Sequence, residues 1–501
     1  MAELDVTLML ADEAATIRLG EDLAAALKPG DVVALHGDLG AGKSTLARAA
    51  IRAMADEDGL DVPSPTFTLV QAYALRVPIA HFDLYRLGDS SELEELGFAE
   101  AASDGAVLLE WPERAGDCLP PDAIAIRLEH EGNGRRARIT AQGPAAARIA
   151  RSLDIRRFLD GAGWGGASRR FLTGDASARA YESLTLGGET RVLMNAPRMP
   201  DGPPIRDGLP YSRLAHLAED VVPFVAIARV LRDAGFAAPE IFAQELDAGF
   251  LLTEHLGPPV FLDGEGAPVL ERYCEAARLL AAMHARTWPS EIAVADGVTH
   301  HVPDYDRRAM QIELDLVPSW YIRYATGAAP DAAMRTAYVA AWDKVLDGLD
   351  GAETSLVLRD YHSPNIIWRE DRAGLDRIGV IDFQDAMIGP AAYDVASLAQ
   401  DARVTIPTDW ETAILDAYCT ARAAEGSFDR ADFMAGYAIM AAQRNSKILG
   451  IFVRLNERDG KPAYLKHLPR IRAYVGRVIG HPALAPVQDF YASIGITPED
   501  A

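Results

Sequence analysis

The stretch that decides the fold of the first part of the chain is G-D-L-G-A-G-K-S, at positions 37 to 44. It follows the apolar run 31–36 and opens an Ala-rich helical pattern, the strand, loop and helix order of a phosphate-binding loop. Its glycines let backbone N–H groups close on phosphate oxygens, and Lys43 and the Ser44 hydroxyl are expected at the terminal phosphates and in a Mg²⁺ shell. The residues predicted to contact ATP here are Gly37, Asp38, Gly40, Ala41, Gly42, Lys43, Ser44 and Thr45.

Apolar runs on both sides of this loop predict a sheet with helices packed beside it. The expected strands are 5–9, 31–36, 68–73, 79–83, 106–110, 123–129 and 136–140, and the expected helices are 12–27 and 44–54. The pattern predicts an α/β domain of the P-loop NTPase type.

A second, unrelated signature is R-D-Y-H-S-P-N at positions 359 to 365. Asp360 lies five positions before Asn365, and Asp382 follows Asn365 after seventeen more, a spacing typical of phosphotransferases. In that plan the loop Asp accepts the proton of the substrate hydroxyl, while the Asn and the later Asp hold Mg²⁺. Apolar runs at 355–358 and 378–381 predict short strands that bring these groups to one cleft.

Two further segments have expected roles in binding a second ATP. A turn between strands, Gly174, Asp175, Ala176 and Ser177, is predicted to cover the phosphates, and the backbone at Glu254 and Leu256 to meet the adenine. The rest of this part is predicted to be mainly helical, at 270–285, 332–349, 410–422 and 433–451. These features predict a two-lobed α+β phosphotransferase domain of the protein-kinase type.

Composition agrees with two domains and restricts the partners. The chain has 501 residues, more than one core usually supports, and a net charge of −24 that argues against autonomous nucleic-acid binding. It starts M-A-E-L-D, acidic where a secretory leader needs positive charge, and has no apolar stretch of membrane-spanning length. Three scattered cysteines form no pairs, so we expect a cytoplasmic protein with reduced thiols. His81 and His284 lie in apolar contexts and are expected to be core residues.

The Ala-rich segment 142–151, with a Gly and a Pro at 143 and 144, is the predicted linker. We therefore predict domains at 1–145 and 146–501, and we expect the two halves to fold and act independently when expressed apart.

The first half resembles the TsaE family, the ATPase component of the machinery that places threonylcarbamoyl on tRNA adenosine. The resemblance is carried by the phosphate loop and by S-P-T-F-T-L-V at 64–70, H-F-D-L-Y-R-L at 81–87, E-L-G-F at 95–98 and E-W-P-E at 110–113. It implies that Thr66 senses the γ-phosphate, that Asp83 serves hydrolysis and that Glu110 holds Mg²⁺. It also implies that this half binds the other threonylcarbamoyl-transfer proteins. From the residues alone, Asp83 has an alternative as an ion-pair partner of Arg86.

The second half resembles the aminoglycoside-phosphotransferase-like kinases and, among them, the AmgK-type anomeric kinases of N-acetylmuramate and N-acetylglucosamine in cell-wall recycling. The motifs are G-D-A-S, L-R-D-Y-H-S-P-N, D-F-Q-D-A at 382–386, Y-D-V-A-S-L at 393–398 and Q-R-N-S-K-I-L-G-I-F at 443–452. By position, Asp360 is implied as the base at the sugar C1 hydroxyl, with Asn365 and Asp382 as Mg²⁺ ligands. His362 and Asp394 are expected to orient the loop rather than to react.

One departure from this pattern concerns the third strand. Many such kinases have a Lys there that grips the phosphates, but this chain has Met194, followed by Asn195 where the sugar kinases lead us to expect Asp. Mg²⁺, the loop at 174–177, Arg179 or Arg191 would have to replace the missing charge.

Other interpretations of the two halves remain open. The first half has an alternative as a regulatory nucleotide-binding module, and the second as a kinase for an aminoglycoside, choline or a protein. The lack of a lysine-rich activation segment and of A-P-E after Asp382 argues against a protein substrate. Arg444 and Lys447, one helical turn apart, either meet the lactyl carboxylate of muramate or form a solvated helix face.

Overall fold

The structure is a computed structural model that describes residues 2–172, 179–258 and 260–498. The predicted phosphate-covering turn at 174–177 lies outside the described residues. The chain forms two compact units: Met1–Ala196 with Phe242–Glu254, and Pro197–Ile241 with His255–Ala501. The chain passes between them at Glu254, where the sequence predicts an adenine hinge.

The first unit begins with a mixed sheet in the order β1-β7-β6-β2-β5-β4-β3. The central pairs β6–β2, β2–β5 and β5–β4 are parallel, and the outer pairs are antiparallel. The strands are Glu3–Leu10 (β1), Val32–His36 (β2), Val70–Tyr73 (β3), Ile79–Asp83 (β4), Ala106–Glu110 (β5), Ile124–Glu131 (β6) and Gly134–Gln142 (β7). This arrangement confirms the predicted α/β domain, because each predicted strand is present within two residues at either end.

Most helices of this domain begin at a side-chain cap or after a left-handed glycine. They are Glu13–Ala26 (α1), Lys43–Ala55 (α2), Glu92–Glu95 (α3) and Phe98–Asp104 (α4). The Asp12 side chain accepts from the backbone N–H of Ala15 at 2.8 Å and so caps α1. Gly42, with φ of 106°, turns the phosphate loop directly into α2. The helix N-terminus therefore faces the loop, as the sequence predicts.

The predicted linker is wrong, because Gly143–Gly161 forms one continuous helix (α5). Pro144 lies in its first turn, where a missing N–H costs nothing and the fixed φ favours helix initiation. The Gly-Pro pair that looked like a break is thus a helix start. The predicted domain boundary at 145/146 falls inside this helix.

After α5, the first unit continues into a five-stranded sheet that we call the small lobe. The order of the strands in this sheet is Ile241–Glu245, Phe250–Glu254, β10, β9 and β8. Strand β8 therefore lies at one edge of the sheet. The strands are Ser168–Leu172 (β8), Ala180–Leu186 (β9), Glu189–Asn195 (β10), Ile241–Glu245 and Phe250–Glu254. Trp164, Leu184, Leu193 and Leu252 form its core with residues of α5.

The second unit is mainly helical, with four short antiparallel strand pairs among its described residues. The pairs are Pro204–Arg206 with Leu209–Pro210, Glu291–Ala295 with Val298–His301, Thr354–Val357 with Met387–Pro390, and Ile366–Trp368 with Ile378–Val380. The helices of eight or more residues are Val222–Asp233, Leu270–His284, Arg307–Leu314, Ala332–Leu346, Ala392–Ala399, Thr408–Ala424, Arg430–Glu457, Leu468–Ile479 and Ala485–Ser493. The small lobe and this helical unit confirm the predicted α+β phosphotransferase fold. No helix in the described part of the chain is long and apolar enough to cross a membrane.

Candidate functional sites

The phosphate loop has the backbone geometry that its glycines predict. Gly37, Gly40 and Gly42 all have positive φ, between 75° and 141°. At Gly37 a Cβ atom would lie 2.5 Å from the carbonyl oxygen of Leu128, so no side chain fits there. A backbone hydrogen bond closes the loop: the N–H of Ala41 donates to the carbonyl of Asp38 at 3.1 Å. Thr45 follows in the first turn of α2.

Lys43 lies inside this loop rather than in solvent. Its Nζ donates to the carbonyl oxygens of Gly37 at 2.7 Å and Asp38 at 2.9 Å, and it lies 3.7 Å from the ring centre of Trp111. Burial lowers the pKa of the Lys43 ammonium, although the carboxylate of Glu110 opposes this. A buried ammonium with few countercharges in contact is suited to bind phosphate oxygens.

A carboxylate closes the neighbouring strand beside the loop. Glu110, the last residue of β5, accepts from the Ser44 hydroxyl at 2.9 Å and lies 3.0 Å from Nε2 of His81. His81 is 1% exposed, which confirms the expected buried position. Its partner, however, is the carboxylate of the site, so His81 orients Glu110 as well as filling the core.

Asp83, the last residue of β4, is held by hydroxyl groups and not by an arginine. Its Oδ2 accepts from Ser64 Oγ and Thr66 Oγ1, each at 2.8 Å, and its Oδ1 accepts from the N–H of Tyr85 at 3.0 Å. Arg86 instead lies over the ring of Phe67, at 4.2 Å. The structure therefore brings Thr66 and Asp83 into contact and shows no Asp83–Arg86 pair.

Sequence reasoning missed the arginine that supports the loop. Arg135 on β7 donates from Nε to the carbonyl of Ala41 at 3.0 Å and from a terminal nitrogen to the carbonyl of Gly40 at 3.1 Å. Its position nearly a hundred residues after the loop leaves no local pattern that could reveal it. Ser64 was also missed. Its position two residues before Thr66 could have indicated a second hydroxyl near Asp83.

We expect Arg135→Ala to weaken ATP binding at the phosphate loop about ten-fold, because two charge-assisted bonds to the loop carbonyls are lost. Calorimetry in an Asp382→Ala background reports this site with little contribution from the second one. Arg138→Ala is the matched control, since Arg138 lies on the same strand and pairs with exposed Asp5 at 2.6 Å. Equal affinities for the two variants would contradict the role of Arg135.

The second site is assembled by the hairpin Ile366–Trp368 and Ile378–Val380. Its pairing brings Asn365 beside Asp382, and the Asn365 amide donates to the Asp382 carboxylate at 3.3 Å and to the Asp360 carbonyl at 3.0 Å. Asp382 has φ of 60°, a left-handed backbone that is uncommon for a non-glycine residue. Such strain is typical of functional sites. The structure thus brings together the three residues that the spacing predicts.

Two residues of these motifs, Asp394 and His362, hydrogen-bond to the backbone of the loop. The Asp394 carboxylate, fully buried at the start of helix Ala392–Ala399, accepts from the N–H of Leu358 at 2.6 Å and of Arg359 at 2.9 Å. The buried His362 donates its backbone N–H to the Asp360 carbonyl at 3.1 Å. Asp394 therefore holds the segment that precedes Asp360, in agreement with an orienting role.

Next to this loop lies a buried charge cluster that sequence reasoning missed. Glu313, with 0% exposure, pairs with Arg359 and with Lys447 at 2.9 Å, and accepts from Tyr305 at 2.5 Å and Gln443 at 3.0 Å. A Glu between the apolar residues Ile312 and Leu314 was the available signal. The cluster ties helix Arg307–Leu314 and helix Arg430–Glu457 to the loop.

This cluster affects the ionisation of the predicted base. Burial opposes ionisation of Asp360, but the positive charges of Lys447 and Arg359 hold the pKa of its carboxyl below the ordinary value. Asp360 is therefore ionised at neutral pH and able to accept a hydrogen bond from a hydroxyl group.

We expect Glu313→Gln to destabilise the protein by about 3 to 5 kcal/mol at neutral pH, because two buried cations lose their counter-ion. Burial alone would raise the pKa of Glu313, but Lys447 and Arg359 lower it to about 2 from 4.5. A lowered carboxyl pKa contributes stability above pH 4.5 that disappears as the pH falls towards 2. Denaturant unfolding at several pH values should show the two proteins converging in acid, and a constant difference would contradict this account.

The structure corrects one candidate for the missing strand lysine. Arg191 and Met194 are three positions apart on β10, so their side chains lie on opposite faces of the sheet. Arg191 lies over the rings of Trp164 at 4.2 Å and Phe242 at 3.7 Å, on the core side of the small lobe. It therefore does not replace the lysine. Arg179 adjoins the phosphate-covering turn that lies outside the described residues and stays a prediction.

The interpretation of Arg444 and Lys447 as a solvated helix face is wrong. Arg444 is 3% exposed and donates to the carbonyl of Gln400 at 3.4 Å, and the Lys447 side chain is 12% exposed. Lys447 also donates to the Tyr393 hydroxyl at 3.2 Å. Both cations belong to the interior near Asp360.

Both sites offer the ligand chemistry that Mg²⁺ prefers. The Ser44 hydroxyl and the Glu110 carboxylate adjoin in one site, and the amide of Asn365 and the carboxylate of Asp382 in the other. Hydroxyl, amide and carboxylate oxygens are hard ligands, and phosphate and water complete such shells. Within the described residues there is no cluster of three His, Cys, Asp or Glu side chains that could hold a metal ion.

Three further residues singled out in the sequence lie in buried or strand-end positions. His284 is buried and lies 2.9 Å from the Tyr418 hydroxyl, and burial lowers its pKa to about 3, which confirms a core histidine. Leu256 is 8% exposed, and Glu254 ends its strand.

Comparisons with known proteins give a separate family for each part of the chain. The family model described as threonylcarbamoyl adenosine biosynthesis protein TsaE matches residues 10–138, and the phosphotransferase enzyme family model matches residues 168–432. An N-acetylmuramate/N-acetylglucosamine kinase from Caulobacter vibrioides is 36% identical over 345 residues, which cover 67% of this chain and 94% of that protein. A relative of the same name from Pseudomonas aeruginosa is 33% identical, over 66% of this chain and 91% of that protein.

The first domain has its own relatives. A tRNA threonylcarbamoyladenosine biosynthesis protein TsaE from Rickettsia conorii is 43% identical over 128 residues, which cover 25% of this chain and 73% of that protein. The chain is therefore a fusion that belongs to the TsaE family of ATPases through its first domain and to the phosphotransferase enzyme family through its second.

Proposed function

We propose that the second domain transfers the γ-phosphoryl group of ATP to the C1 hydroxyl of N-acetylmuramate or N-acetylglucosamine. The observation that carries this proposal is the contact of Asn365 with both the Asp360 loop and Asp382, in a chain so similar to two kinases of that name. The alternative acceptors, an aminoglycoside or choline, have no comparable support.

In this proposal, Asp360 is the group that receives the proton of the attacking hydroxyl. The sugar oxygen bonds to the γ-phosphorus, the bond from phosphorus to the bridging oxygen breaks, and ADP leaves. A C1 hydroxyl is more acidic than an ordinary alcohol, so an ionised carboxylate of low pKa is a sufficient base late in the transfer. Asn365 and Asp382 would hold Mg²⁺, which neutralises phosphate charge.

Arg444 is our candidate for binding the carboxylate of the lactyl group of muramate. Lys447 is already paired with Glu313, whereas Arg444 is a buried cation that donates to the carbonyl of Gln400 at 3.4 Å. A guanidinium binds a carboxylate in two places. Arg444→Gln should therefore raise the KM for N-acetylmuramate more than that for N-acetylglucosamine.

The product identifies the acceptor hydroxyl directly. We expect the full chain with ATP and each amino sugar to give a 1-phosphate, in which NMR shows coupling between phosphorus and the anomeric proton. An aminoglycoside and choline serve as competing acceptors. A phosphate on the C6 hydroxyl, or on an aminoglycoside only, would overturn the sugar assignment and leave the roles of Asp360 and Asp382 standing.

We further propose that the first domain hydrolyses ATP in support of threonylcarbamoyladenosine formation on tRNA, in the cytoplasm and with partner proteins of that reaction. Lys43 inside the phosphate loop, the hydrogen bond from Ser44 to Glu110 and the Asp83 carboxylate held by Ser64 support hydrolysis rather than binding alone. Single-turnover ATPase measurements with and without the partner proteins test this, and no hydrolysis in either case would favour a regulatory module.

A further inference from the structure

One helix belongs to two hydrophobic cores. The first half of α5 places Ala146, Ile149 and Leu153 in the core of the seven-stranded sheet. Its second half places Ile155 and Leu159 in the core of the small lobe. Because a helix forms as a cooperative element, neither core can lose its part of α5 without affecting the other.

Beside this helix lies a cluster of buried charges, which we call the joint: Glu21 and Asp22 on α1, Ser152 and Arg156 on α5, Arg169 on β8 and Glu182 on β9. Its centre is the carboxylate of Asp22, 4% exposed, which accepts from Arg156 at 2.7 Å and from Arg169 at 2.7 Å. Ser152 Oγ donates to the Asp22 carbonyl at 2.7 Å. The joint thus connects a helix of the P-loop domain with the first strand of the small lobe.

Arg169 makes the joint sensitive to the loss of α1. Its side chain is 1% exposed. Two guanidinium nitrogens donate to the Glu182 carboxylate, at 2.6 and 2.8 Å, and the third donates to Asp22 and Ser152. Arg156 likewise depends on Asp22, because its other carboxylate partner, Glu21, lies at a longer 3.6 Å. Removing one partner from a buried ion cluster leaves charge unpaired in the interior, which is strongly unfavourable.

More contacts extend the same interface along β8. Arg170 donates to Glu21 at 2.9 Å and pairs with Asp58 beyond the end of α2, and Arg76 lies 4.2 Å from the ring of Phe171. β8 is the edge strand of the small lobe, and edge strands of sheets are usually covered or protected. The P-loop domain supplies that cover here.

We propose that the P-loop domain stabilises the small lobe of the kinase, and that it does so by packing α1 on the surface formed by β8 and α5. This is the opposite of the independence that the sequence predicts for the two halves. The inference does not depend on which sugar is phosphorylated or on whether the first domain hydrolyses ATP.

The test uses the full chain with Asp22→Ala, and with Asp5→Ala as a matched control that breaks an exposed Asp–Arg pair on β1. Hydrogen exchange is followed for the amides of β8 and β9, and helix Arg430–Glu457 serves as an internal reference. We expect Asp22→Ala to speed exchange in β8 and β9 by about ten-fold or more and to raise the KM for ATP in sugar phosphorylation. Asp5→Ala should change neither.

Two results would overturn the proposal: β8 and β9 as well protected in Asp22→Ala as in the unaltered chain, or equal loss of protection in the Asp5→Ala control. If Asp22→Ala does not accumulate as folded protein, Asp22→Asn takes its place under the same criteria, because it keeps the shape and removes the charge. A rise in the ATP KM without faster exchange in β8 and β9 also counts against the proposal.

Discussion

Asp360→Asn should lower the kcat of sugar phosphorylation by roughly 10² to 10⁴ while barely changing the KM for ATP, the range of general-base contributions. The amide cannot accept the hydroxyl proton, yet it keeps the size of the carboxylate. The Asp360 backbone still accepts from Asn365 and His362, so the loop should keep its conformation. Steady-state kinetics with N-acetylmuramate and N-acetylglucosamine measure the effect.

The matched comparison is Asp382→Ala at the neighbouring carboxylate. This variant removes a predicted metal ligand and should weaken the use of Mg·ATP, so the KM for ATP and the Mg²⁺ requirement rise. Two variants with the same kinetic pattern would mean that Asp360 and Asp382 do not divide the roles of base and metal ligand. A loss below ten-fold for Asp360→Asn would show that the base is another group.

Lys43→Ala should abolish complementation of a threonylcarbamoyladenosine defect and leave sugar phosphorylation within experimental error. The variant removes the ammonium that lies inside the phosphate loop, where no other cation contacts the Gly37 and Asp38 carbonyls in the described structure. Lys43 also has no part in the joint. Growth complementation and tRNA nucleoside analysis measure the first effect, and sugar kinase assays the second.

Lys28→Ala is a suitable control for Lys43→Ala, because Lys28 is an exposed lysine just beyond α1 and lies outside the phosphate loop. A marked fall in sugar kinase rate in Lys43→Ala alone would mean that the nucleotide state of the first site reaches the second. That outcome would extend the mechanical support proposed for the small lobe into a functional coupling.

Much of the fold was predictable because its signals are local. The phosphate loop and the strands around it have periodicities and turn residues that act over a few neighbours, and Asp360, Asn365 and Asp382 follow short fixed spacings. The linker failed for a local reason too. Gly143 and Pro144 are residues that either interrupt a helix or begin one, and only the packing of α5 on both cores decides between them.

The supporting residues were not predictable in the same way. Arg135, Glu313 and Arg169 each bind partners far along the chain, and a charged side chain has no sequence pattern that names its counter-ion. The alternative of a solvated face for Arg444 and Lys447 failed because helix Arg430–Glu457 is buried on several sides, which hides its periodicity.

The sequence by itself determined the two enzyme families and the order of the domains, and it predicted the residues that handle phosphate, because backbone geometry and metal ligation demand particular residues at short spacings. Only the tertiary structure decided which carboxylates and cations meet, that α5 joins rather than separates the domains, and that Asp22 of the first domain pairs with Arg169 of the second. These choices depend on burial: a charge taken out of water must find a partner, and the fold, not the local sequence, determines which partner is within reach.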